Sequence, residues 1–162
     1  MSKPRRRRSA GGCQGRFRAL ILTAVMTFHP ECLGRSYSAP PEILDRERHR
    51  AYAAAVTGQD PPPHTARPLA CFAAVYLLWP IVPQLFSDQL VGLDLPRLLH
   101  GEQEFWFERP LQFGEELTPE GSVTRAEERR GMVFVELLCH GRDGQGEAVA
   151  HSRSLFLVRG SE

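Results

Sequence analysis

From Pro68 to Phe86 the chain reads PLACFAAVYLLWPIVPQLF, without one charged side chain. A helix that is apolar on every side belongs inside a protein, because no face of it suits water. It is also too interrupted to cross a membrane. A spanning helix needs about 20 apolar residues, and here Pro80 and Pro83 bend or end the helix after about three turns. The segment is expected as a central, enclosed helix. What encloses it has to come from the rest of the 162 residues, a length that suits one domain with a real core.

The sequence after this run changes period from helix to strand. Leu99 to Glu108 ends in aromatic alternation, with Phe105 and Phe107 on one face and Trp106 on the other. Residues 109–114 make a break, Leu117 to Glu128 alternates weakly, and Arg129-Arg130-Gly131 turns the chain. Met132 to His140 reads as a buried strand, residues 142–146 as a hairpin loop, and Ala148 to Arg159 as the last strand. Before the apolar run, Glu42 to Val56 has the character of an amphipathic helix with Ile43, Tyr52 and Val56 inward. Thr57-Gly58 ends it, and the prolines at 61, 62 and 63 enforce a stiff extended loop. The conformation of 87–99 is left open. Packing the apolar helix against one face of the antiparallel strands gives an α+β domain whose sheet wraps a central helix.

Charge divides the chain in two. Residues 1–25 carry seven Lys and Arg and no acid, which leaves 13 basic against 19 acidic side chains in the remainder. An acidic body argues against nucleic acid as the partner, since phosphate contacts need a basic surface. The leader reads as a disordered or non-native extension ahead of Met26, or else as a transit peptide; the domain is taken as 26–162. The four cysteines are scattered, with no pair at metal-ligand spacing, so reduced thiols in a cytoplasmic protein are expected. Cys71 and Cys139, in apolar runs, are expected in the core.

The stretch HGEQEFWFERPLQFGEEL, ending at Leu117, resembles the strand–turn–strand signature of MaoC-like dehydratase N-terminal domains. Leu33 to Tyr37, the Arg-rich helix ending in Tyr52-Ala53, and the hairpin GRDGQGEAVAHSRS are similar to those domains in the same order. The resemblance covers residues 26–160 and is nearest to the substrate-binding subunits of (3R)-hydroxyacyl-ACP dehydratases. It implies a single hot-dog domain, an antiparallel sheet wrapped around the apolar helix. It also implies pairing with a second hot-dog domain as a homodimer or heterodimer, and reversible loss of water from a (3R)-3-hydroxyacyl thioester of CoA or acyl carrier protein. No organic cofactor and no metal are implied.

That elimination needs a base for the α-proton, an acid for the leaving hydroxyl and donors for the enolate-like oxygen. Active members of the resembled family place an Asp and a His on a loop reading roughly T-G-D-x-N-P-x-H. Here Thr57, Gly58, Pro62 and His64 fall on that pattern, but Gln59 holds the Asp position and Pro61 the Asn position. Gln cannot exchange a proton. Asp60, one residue late, and His64 are the candidate catalytic pair; the bland readings are a solvated turn carboxylate and a loop or interface histidine. His100 with Glu102 and Glu104 would share one strand face. His49 and His151 show no partner, and His29 lies in the N-terminal arm. Two alternatives remain: a hot-dog acyl-CoA thioesterase using Asp60 or Glu47, or a non-enzymatic acyl-binding or dimerisation module.

Overall fold

The computed structural model describes residues 29–62 and 64–159, so the expectations for the basic leader, Met26 and Cys13 lie outside the described residues. Four long strands dominate: β3 (Leu98–Phe107), β4 (Glu116–Arg129), β5 (Met132–Arg142) and β6 (Ala148–Arg159). With the short β1 (Ser36–Ser38) they form an antiparallel sheet in the order β1-β4-β5-β6-β3, and β2 (Glu42–Ile43) pairs separately with β4. β4 and β5 are joined by the two-residue turn Arg130-Gly131, both at positive φ (53° and 71°). That geometry matches the right-handed twist of the strands it connects.

The apolar run lies across the inner face of this sheet, which gives the hot-dog arrangement. It is not one regular helix. A 3₁₀ turn (Ala70–Phe72) leads into a π-type turn (Ala74–Leu78), and after Pro80 the chain resumes as the short helix α2 (Val82–Ser87). The sheet has glycine where this helix crosses it. A Cβ on Gly141 would sit 2.6 Å from Leu77 Cδ2, and one on Gly121 2.7 Å from Ile81 Cγ2. Both distances are below any tolerable carbon contact, so the close approach of helix to sheet depends on the missing side chains. Two apolar clusters result. Ile81 and Leu85 pack with Val123 and Leu137, while Phe72 and Leu77 pack with Leu44 and Leu117. Phe105 and Phe107 pack on the second cluster while Trp106 is 40% exposed, as their alternation predicts.

Three expectations need correction. The helix α1 is Arg46–Thr57, not Glu42–Val56: residues 42 and 43 pair with β4, and Asp45 caps the helix by accepting from Arg48 N–H at 2.6 Å. Its buried residues are His49 and Ala53, while Ile43 and Val56 are more than half exposed. Cys139 is buried but Cys71 is exposed, because the central helix turns that side away from the sheet. Finally, His100 does not share a face with Glu102 and Glu104. The register of β3 against β6 shifts between His100 and Glu102. His100 packs against buried Phe156 with the rings tilted by 31°, while both glutamates pair with Arg153.

Candidate functional site

Helix α1 and the proline loop stand apart and flank an open cavity of about 720 Å³. Side chains one helical turn apart bridge the gap. Arg46 donates from Nη1 to Thr65 O at 2.7 Å and lies 4.2 Å above the Phe113 ring. Arg50, four residues on, reaches Asp60 with Nη2 3.2 Å from Oδ2. Gly58, in the left-handed conformation at φ 73°, stops the helix, and Thr57 Oγ1 donates back to Ala53 O. The loop is thereby tied to the helix at both ends.

Asp60 contributes to the cavity wall, but its carboxylate is engaged by Arg50 and is 68% exposed. His64 sits on an exposed turn and is not part of the wall. Among the described residues no hydrogen bond links the two. Gln59 is exposed on the same loop. Glu47, the other carboxylate considered from sequence, shares the wall with Asp60.

The titratable group that the sequence sets aside for want of a partner, and that the structure places at the cavity, is His49. It lines the cavity yet is only 2% exposed. Its Nε2 accepts from Leu69 N–H at 3.0 Å, and the edges of Phe72 and Phe113 close on its ring at centroid distances of 5.1 and 5.0 Å. Burial, and then the neighbouring Arg46, holds its pKa below the ordinary imidazole value.

A second histidine site lies on the outer face of the sheet. His140 and His151, directly opposite on β5 and β6, bring their Nδ1 atoms to 2.7 Å. The His151 ring stacks on Trp106 at 5.0 Å and 11°, and its Nε2 is 3.1 Å from Glu108 Oε1 without hydrogen-bond geometry. The Cys139 thiol is pushed up to about 12 by burial, which leaves no thiolate for nucleophilic work. Among the described residues no group of His, Cys, Asp and Glu is disposed to hold a metal ion, and no helix is long and apolar enough to cross a membrane.

Residues 31–152 match the family model described as FAS1-like, dehydratase domain region. A UPF0336 protein of Clavibacter michiganensis is 34% identical over 150 residues, covering 85% of this chain and 99% of the relative. UPF0336 protein Lxx02810 of Leifsonia xyli is 31% identical over 151 residues, covering 85% and 100%. Among solved structures, the HadBC (3R-hydroxyacyl-ACP dehydratase) complex of Mycobacterium tuberculosis superposes with a TM-score of 0.66 at 20% identity, over 80% of this chain and 98% of that one. A MaoC-like dehydratase gives 0.63 at 21%, over 80% and 42%. The ChsH1–ChsH2 complex of the same organism gives 0.55 at 13%, over 79% and 85%. At these identities the structural likeness establishes the hot-dog fold.

Proposed function

The chain belongs to the FAS1-like dehydratase-region family, and from that premise we propose that it is the acyl-binding subunit of a (3R)-3-hydroxyacyl thioester dehydratase. The thioester is one of CoA or acyl carrier protein, and a second hot-dog subunit supplies the proton chemistry. The domain is taken as residues 26–162, and a cytoplasmic location goes with this reading. The observation that carries it is the state of the loop. Gln59 stands where an acid is needed, Asp60 is held by Arg50, and His64 is outside the cavity. Dehydration breaks the Cα–H and Cβ–O bonds: the α-proton goes to a base, the hydroxyl leaves as water with a proton from an acid, and the electron pair becomes the new double bond. A loop that offers the cavity neither an unpaired carboxylate nor a histidine suits binding better than chemistry. Two of the structural neighbours, HadBC and ChsH1–ChsH2, are described as two-subunit complexes, which supports a partner.

The test is hydration of a trans-2-enoyl thioester, followed by loss of enoyl absorbance. The full chain alone should be inactive, and adding a hot-dog subunit that carries an intact Asp/His loop should produce activity. Turnover by the chain alone that is lost in both Asp60→Asn and His64→Ala would show instead that it carries its own acid–base pair. The thioesterase reading keeps one supporting observation, the two carboxylates Glu47 and Asp60 on the cavity wall. Release of free thiol would establish it.

A further inference from the structure

We propose that His49 is a hydrogen-bond donor of the cavity, presenting Nδ1–H to the carbonyl oxygen of a bound acyl thioester. The identity of the ligand rests on the function proposed above; the donor itself rests on the geometry of this chain.

The tautomer follows from one contact. Leu69 N–H donates to His49 Nε2 at 3.0 Å, and a backbone N–H has no other role to offer. Nε2 must therefore carry a lone pair. An imidazolium has none, so the ring is neutral while this bond holds, and its single N–H is on Nδ1. Burial of the ring among Phe72 and Phe113, beside the Arg46 guanidinium, favours the same neutral form. His49 lines the cavity whereas Leu69 does not, and Nε2 is committed to Leu69. Nδ1 has no acceptor among the described residues and is not among the buried unpartnered atoms, so it is the ring nitrogen open to solvent. A donor open to solvent on a ring that is otherwise enclosed is a place for a ligand oxygen.

The surroundings select the kind of oxygen. Arg50 is paired with Asp60, Asp45 is used as the helix cap, and Arg46 is spread over Phe113 with its N–H on Thr65 O. Apart from Glu47, which has no side-chain partner among the described residues, the charged groups of the wall are thus engaged within the protein, and the open donor is neutral. A neutral donor in such a setting suits an uncharged carbonyl, whose oxygen gains negative character only as a thioester enolate forms. A neutral imidazole is known to serve as an electrophile of this kind elsewhere.

The test uses the full chain and crotonyl-pantetheine as the probe. Long-range ¹H–¹⁵N correlation of the histidine rings should show His49 protonated at Nδ1 and not at Nε2, with the Nδ1 resonance moving as probe is added. His49→Gln keeps an acceptor for Leu69 N–H and removes the donor. It should fold as the wild type does and bind the probe roughly tenfold to a hundredfold more weakly. His49→Asn places an amide near the Nδ1 position but cannot reach Leu69; it should be less stable yet bind better than His49→Gln. Protonation at Nε2 in the free protein, or equal binding by wild type and His49→Gln, overturns the donor. A wild type that does not bind the probe overturns the function proposed above and, with it, the ligand named here.

Discussion

Two imidazoles whose Nδ1 atoms stand 2.7 Å apart must share one proton between them, so His140 and His151 cannot both be charged without moving. Burial, then His151 and Arg142, holds the His140 pKa below the ordinary value, against a smaller opposing pull from Glu120; Glu108 faces His151 from the other side. A pKa lowered on folding means that the unfolded chain takes up the proton first. The stabilisation is complete above about pH 6.5 and is lost as pH falls through the depressed folded value. His49 acts in the same direction. The melting temperature should therefore fall between about pH 7.5 and about pH 5.5, and fall less in His140→Gln. An equal slope in the two proteins would remove the pair from the account. Neither histidine site was visible residue by residue in the sequence. His49 meets Leu69 across a proline loop whose path no local pattern fixes. For His140 and His151 the hairpin announces only that the two strands pair; the register that sets them opposite depends on the irregularity between Gly141 and Arg142, which no local pattern fixes.

Among the elements, the central helix and the sheet are held together by what is absent. Gly121 and Gly141 leave room for Ile81 and Leu77, and Gly141→Ala should cost roughly 1–3 kcal/mol through overpacking against Leu77 and Leu117. Leu77→Ala, which empties the same contact from the other side, should cost about 2–5 kcal/mol. The double variant should recover part of the loss, since one change relieves the crowding that the other creates; strictly additive unfolding energies would contradict the proposed contact. The strands were legible because period-2 alternation and turn residues agree over 117–159. The helix α1 was legible in its end, where Thr57-Gly58 is a stop signal, and misread at its start. There, the expected helix over 42–56 takes in Asp45, which is the cap, and residues 42 and 43, which pair with β4. The break of the central helix into 3₁₀, π and α pieces goes beyond what Pro80 and Pro83 announce, because the π turn involves neither proline.

Taken whole, the molecule encloses its central helix on one side only. Trp79 is 66% exposed on the helix, and Leu99 and Trp106 are 55% and 40% exposed on β3, which lies at the end of the sheet and pairs only with β6 among the described residues. An apolar helix face and an open strand edge on one domain call for a covering partner. The chain should sediment above monomer mass at micromolar concentration or acquire a defined mass when mixed with a second hot-dog subunit. Trp106→Arg together with Leu99→Lys should abolish either association while leaving the fold intact. A monodisperse monomer under both conditions would refute this. The open edge has a further cost, in the cell rather than in the complex. Apart from the bulge at His100 and the charges of Glu102 and Glu104, little on β3 discourages another strand from joining it. A copy left with that edge uncovered is thus a nucleus for aggregation, which places a premium on low free concentrations of the chain.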